Sequence, residues 1–221
     1  MTPADITREG LWQNNPALVQ LLGLCPLLAV SNTLINGFVL GFLTLLVLIS
    51  ANCTISLLQR WLDDTTRLPA QILIIATFVT LADLLLQFVS FELHQRIGLF
   101  VALIVTNCVI LGRAEAFARK NHFGYAFLDG LSMGLGFLFA ITVLSSLREA
   151  IGYGTLLSSA DLIFGPQAAS WRVDLPNDGI LLAILPPGAF LLFGLLIASK
   201  NWIDLKIEQR QALRNSETAS G

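Results

Sequence analysis

The chain has 221 residues, of which 55% are apolar and only 13% charged, and its formal net charge is −2. A soluble domain carries about a quarter of its residues as charges, so this chain has too few to coat a water-facing surface and lipid is the expected solvent. The same balance offers no basic stripe or patch of the kind that nucleic acid requires.

Taken in chain order, the first fifteen residues mix polar and charged types, with Trp12 at the edge of the apolar region. They lack the short apolar core and small-residue cleavage site of a signal peptide and are expected to stay attached. From Pro16 through Gln59 the only ionisable side chains are Cys25 and Cys53. Uncharged or nearly uncharged runs fall at 17–31, 35–58, 68–91, 97–112, 126–147 and 179–199, which predicts six membrane segments. Two are short. The run 97–112 gives a helix of about 24 Å against a hydrocarbon core of about 30 Å, and the first run is interrupted by Ser31 and Asn32. The first and fourth segments therefore read as half-helices. The predicted fold class is an all-α integral membrane protein forming one domain over 1–221.

These two short runs suggest an internal repeat. LLGLCPLLAVSNT (21–33) aligns on its cysteine with IVTNCVILGRAEA (104–116). The following segments agree: Gly37 and Gly41 open the second run as Gly130 and Gly134 open the fifth, each a small-residue pair four apart that lets helices approach closely. The second copy carries about ten extra residues, beginning at GRAEAFARKN. The boundaries read as an N-terminal segment over 1–16, repeat one over 17–91, repeat two over 97–200 and a tail over 201–221. Three segments per repeat is an odd number, so the copies must enter the membrane from opposite sides, the inverted-repeat architecture of transporters. Chance likeness among Leu-rich runs is the competing explanation.

Lys and Arg placement sets the expected orientation. With both termini in the cytoplasm, Arg8, Arg60, Arg67, Arg113, Arg119, Lys120, Lys200, Lys206, Arg210 and Arg214 lie inside, leaving only Arg96, Arg148 and Arg172 outside. The long loop over 149–178, with Asp161, Trp171, Asp174 and Asp178, then lies outside, resting on the membrane surface through Phe164 and Trp171.

Three cysteines, an odd number within apolar runs, argue against a disulfide framework. Cys25 and Cys108 occupy equivalent positions on the two half-helices, which an inverted repeat brings together near the midplane. Two thiolates there are half of what a four-thiolate iron–sulfur cluster or tetrahedral metal needs, so another subunit would complete the cage. The alternative is that each is a small hydrophobe packed between helices. Cys53 has no counterpart in the second repeat and reads as structural. Asp83 interrupts the third run and costs a few kcal/mol in hydrocarbon unless it faces protein or water. Cation or proton handling and a hydrated place near a helix end are both open to it. Arg113 and Glu115 either offset a cluster's charge or mark the cytoplasmic boundary. Pro186, Pro187 and Gly188 break the last helix and free carbonyls that need partners, as an ordinary kink or as part of an ion path. No P-loop, Rossmann glycine fingerprint, C-x-x-C series or clustered catalytic triad occurs, so the chain is not expected to be catalytic alone.

Through LLGLCPLLAVSN, IVTNCVILGRAEAFARKN, LDGLSMGLG, LREAIGYGTL and LPPGAF the sequence resembles the E-subunit family of the bacterial Rnf (Rsx) ion-translocating electron-transport complex. It resembles less closely the D subunit of the sodium-pumping NADH:quinone reductase, which shares TNC and GRAEAFA. The resemblance covers nearly the whole chain apart from its ends. It implies a six-segment inverted-repeat subunit of the inner membrane, paired with a homologous A subunit and assembled with subunits B, C, D and G. It implies two cysteines from each of the pair, here Cys25 and Cys108, on an intramembrane [2Fe-2S] cluster, with electrons passing between ferredoxin and NAD and driving Na⁺ or H⁺ transport. Cys53 and Asp83 lie outside that pattern. A secondary transporter or scaffold subunit without redox chemistry is the competing class.

Overall fold

The computed structural model describes residues 9–59, 66–156, 173–174 and 181–219. The sequence spaces its charges so widely that helices run long between them. Helix α1 is Leu24–Val30, α2 Leu34–Leu58, α3 Arg67–Val89, α4 Phe91–Val101, α5 Cys108–Arg113, α6 Phe123–Gly152, α7 Leu181–Ile184 and α8 Pro186–Ala219. A two-residue antiparallel pairing, Thr155–Leu156 with Val173–Asp174, follows α6. The other regular elements among the described residues are helical.

Five stretches are long and apolar enough to cross a membrane: Leu34–Leu58, Arg67–Val89, Phe91–Ala118, Phe123–Gly152 and Pro186–Arg210. Six were expected. The first run yields only the seven-residue α1, because Asn15 bends the chain before it. Asn15 Oδ1 accepts from the amides of Ala17 and Leu18, while its Nδ2 donates to the Leu11 and Gly136 carbonyls. The fourth run differs more: it is not a free-standing half-helix over 97–112. Ser90 ends α3 and caps α4 through its hydroxyl, which accepts from Leu93 N. Helix therefore resumes at Phe91 and carries Glu92, His94 and Arg96. A tight capped corner, not a loop, joins the third and fourth runs. The segment breaks further on, at 105–107, before α5 begins.

Helices α2 and α6 form the central contact and run antiparallel. Their glycines make it close. A methyl on Gly41 would sit 2.8 Å from side-chain atoms of Ile141 and Leu138, and one on Gly134 would sit 2.3 Å from a Leu45 methyl. The contacts are reciprocal. Gly37 faces Ser145 as Gly130 faces Asn52, and Gly41 faces Leu138 as Gly134 faces Leu45, each member of the second contact lying 93 positions from its counterpart in the first. The helix ends are tied as well: Glu149 accepts from Leu34 N at 2.6 Å, and Ser56, 93 positions before Glu149, donates to the Asn121 carbonyl at 2.8 Å.

Several hydroxyls inside the long helices bond within their own turns, whereas the buried Asn52 amide and Ser145 hydroxyl have no partner among the described residues. Thr44 donates to Leu40 O, Ser50 to Leu46 O and Thr142 to Leu138 O, all below 3 Å. The exposed surface is apolar instead, with Phe88, Val89 and Leu99 nearly bare. The segment before α1 meets α8: Trp12 Nε1 donates to Asp204 at 2.7 Å, and Lys200 both pairs with Asp204 and lies over the Trp12 ring. The expected tail is helical through Ala219, continuous with the sixth run. Of the outer loop, Asp161, Phe164, Trp171, Arg172 and Asp178 lie outside the described residues, as do Arg8 and Arg60.

Candidate functional site

The site is built where two helices start inside the membrane domain. The chain reaches α1 through Gly23, whose φ of 73° is a left-handed conformation suited to glycine. Space demands glycine too. A methyl there would lie 2.8 Å from the Phe137 ring, 2.9 Å from a Val109 methyl and 3.0 Å from Asn107 Oδ1. The start of α1 is thus pressed against the start of α5, since Asn107 caps α5 by accepting from Val109 N at 3.0 Å. Leu22 runs on beside Gly112. Pro26, in the first turn of α1, gives up an amide that the helix would have left unpaired.

Cys25 lies two residues beyond Gly23, and Cys108 lies between Asn107 and Val109. The structure therefore brings together the first turns that carry the two expected ligands. Both cysteines are exposed on this chain taken alone. No group of three or more His, Cys, Asp and Glu side chains gathers among the described residues. The donor set at this place is two soft thiols open to a neighbour, which fits half the ligands of an iron–sulfur cluster. Cys53 is half-buried on α2, in the turn where Asn52 faces Gly130 and Ser56 bonds Asn121.

Asp83 is placed elsewhere, on the last turns of α3. His94 Nδ1 on α4 lies 3.1 Å from its Oδ1, a close approach without the alignment of a hydrogen bond. Gln87 reaches both, at 3.4 Å to Asp83 Oδ2 and 3.3 Å to His94 Nε2. The three side chains span the corner at Ser90.

Arg113 and Glu115 are already engaged. Arg113 forms a two-pronged pair with Asp129, its Nε 3.0 Å from Oδ2, and stacks over Phe117. Glu115 accepts from Arg67, Arg119 and Gln71, each at 3.1 Å. Sequence reasoning passed over Asp129, which is buried, and over the buried neighbours Arg148 and Glu149. An aspartate directly before Gly130 in a nearly uncharged run was the available signal for the first.

The carbonyls freed at the proline break have a partner in Arg148. It donates to Ala183 O at 3.2 Å and Ile184 O at 2.6 Å, and also to Leu28 O at 3.1 Å and Ser31 Oγ at 2.7 Å. One guanidinium thus ties the far end of the Cys25 helix to the break. A cavity of about 540 Å³ between them is lined by Cys25, Leu28, Arg148, Ile184, Pro186 and Phe190, among others.

Comparison with known proteins agrees with this architecture. The family described as Rnf-Nqr subunit, membrane protein, matches residues 4–197. Proteins named as the E subunit of an ion-translocating oxidoreductase complex are similar over almost their full length. The one from Pseudoalteromonas atlantica is 52% identical across 95% of this chain and 91% of its own. The one from Pseudomonas aeruginosa is 54% identical across 93% and 87%, and that from Cellvibrio japonicus 49% identical across 98% and 92%. With its apolar helices and this likeness, the chain is a multi-pass membrane protein and belongs to the Rnf-Nqr family of membrane subunits.

Proposed function

We propose that this chain is the E-type membrane subunit of an Rnf-type ion-translocating ferredoxin:NAD oxidoreductase, supplying Cys25 and Cys108 to an intramembrane [2Fe-2S] cluster. The observation that carries the reading is the abutment of two helix starts at Gly23 and Asn107, each followed by an exposed thiol. The names borne by the relatives supply the complex. With two ligands on this chain, the cage is completed by the homologous A subunit, and subunits B, C, D and G make up the rest of the assembly. When bound, the cluster supplies one-electron relay through the membrane. This chain's own residues hold and orient it: Gly23 and Asn107 set the helix starts, and Arg148 fixes the far end of α1.

The reciprocal contacts of α2 and α6 support the two-repeat reading, since residues 93 apart make equivalent contacts in an antiparallel pair. The meeting of Trp12 with Asp204 supports placing both termini on one side, which the Lys and Arg bias assigns to the cytoplasmic face of the inner membrane. Asp83 is proposed as the ion- or proton-handling group of the coupling to Na⁺ or H⁺. Asp83→Asn is then expected to lower ion transport by the complex while its iron content stays; unchanged transport would leave the Asp83–Gln87–His94 set as closure of the α3–α4 corner alone.

The function itself is tested by iron content and reduced-state paramagnetic resonance of this chain purified with its homologous partner. A [2Fe-2S] signal is expected. An intact pair without iron would return the chain to a transporter or scaffold subunit.

A further inference from the structure

Among the described residues several buried side-chain polar atoms have no hydrogen-bond partner, on Asn36, Asn52, Gln71, Asp83, His94, Ser145 and Thr155 as well as Asn107, and the last of these stands at the site. Asn107 is 2% exposed and its Nδ2 has no hydrogen-bond partner. An unpaired buried amide costs about 1–3 kcal/mol, so such a group calls for an explanation. The orientation of the carboxamide is set by the cap: Oδ1 faces the Val109 amide, and the reverse placement would oppose two N–H groups. The donor edge is therefore the free one. It belongs to the residue directly before Cys108 and touching Gly23, two residues before Cys25. The neighbours it has in sequence and at the abutting helix start include the two thiols, whose charge changes on ligation, and neither sulfur is bonded to Nδ2 in this structure.

We propose that the Asn107 carboxamide donates an N–H···S hydrogen bond to the ligating thiolate of Cys25 or Cys108, and so sets the reduction potential of the cluster. The inference rests on the two cysteines being ligands. A thiol offers this donor a weak acceptor, whereas a metal-bound thiolate carries negative charge and accepts strongly. Reduction adds one electron to the cluster and raises the negative charge on its sulfurs. A donor held at one of them stabilises the reduced form and moves the potential upward. Asn107 is a positioning and tuning residue, not a ligand: its oxygen starts the α5 helix and its nitrogen serves the sulfur.

The test uses the whole complex, grown with ¹⁵N-labelled asparagine, and its Asn107→Ser counterpart. Serine keeps an oxygen to cap α5 but removes the carboxamide donor. The wild-type complex is expected to show a ¹⁵N hyperfine coupling to the reduced cluster by pulsed paramagnetic resonance. In Asn107→Ser that coupling is expected to vanish and the midpoint potential to become more negative, with iron content unchanged. A wild-type cluster without the coupling overturns the inference, and it does so even where the variant fails to assemble. An equal midpoint in the two complexes overturns it as well, leaving Asn107 as a cap. Absence of iron from the wild type is a different result, since it removes the ligand reading on which the inference stands.

Discussion

Serine in place of Cys25, or in place of Cys108, is expected to leave the complex assembled while iron, the reduced-state resonance and electron transfer are all lost. The exchange is close to isosteric at an exposed position, so its effect on folding should fall within about 0.5 kcal/mol. Its effect on ligation is of another order, because a serine hydroxyl stays protonated where a thiol bound to iron ionises, and it lacks sulfur's softness. Each cysteine sits in the first turn of its own short helix, so neither can reach round to replace the other. The double variant should therefore be no worse than either single one, the non-additivity expected of groups that act as a unit. Cys53→Ser is the control. On α2 a serine hydroxyl can bond back to the carbonyl four residues earlier, as Ser50 and Thr54 already do, at a cost of about 1 kcal/mol or less. Iron measured in the three purified variants decides the matter: loss in Cys53→Ser, or retention in Cys25→Ser, would mean that the wrong pair has been chosen.

How much of this was legible beforehand follows from the range of each interaction. The long helices α2, α3 and α6 follow from the absence of charge, a local property, and lie close to the uncharged runs. The cysteine pair was reachable because it is repeated: an alignment of two short segments marked positions 83 apart that the structure then sets on abutting helix starts. What could not be read were partners distant in sequence. Residues 92–96, with Glu92, His94 and Arg96, fell between the two repeats, whereas Ser90 caps a helix there and His94 turns back to Asp83. Charge density predicts where a chain leaves lipid only when those charges have no neighbour in the protein. Asp129 and Glu149 make the same point from inside α6. Each would be prohibitively placed alone, and each is accommodated by a group from another segment, Arg113 for one and the Leu34 amide for the other. The proline break was visible in the sequence, but its partner was not, since Arg148 had been counted as an outside charge.

That partner carries the second large expectation: Arg148→Met should abolish assembly of the chain into membranes. Three of the four acceptors of Arg148 are backbone carbonyls with no substitute donor among the described residues. Ala183 O would ordinarily receive the amide of residue 187, and Pro187 has none. Ile184 O would receive Gly188 N, which turns to Leu185 O at 3.0 Å instead. Leu28 O would receive Asn32 N, which bonds Val30 O at 2.8 Å where α1 ends. A methionine fills the volume but donates nothing, and Ser31 Oγ loses its partner as well. At about 1–3 kcal/mol for each stranded acceptor, the loss is on the order of 5 kcal/mol, comparable with the whole stability of an ordinary domain. Arg148→Lys separates charge from geometry. An ammonium has three donors on one atom and cannot span acceptors on α1 and on both sides of the proline break, whereas the guanidinium fork does. The lysine chain should assemble at reduced yield and hold less iron, because the far end of the Cys25 helix is no longer fixed. Yield of the assembled complex, its thermal midpoint in detergent and iron per complex measure this directly. Wild-type yield and midpoint in Arg148→Met would mean that the four bonds contribute little to the fold.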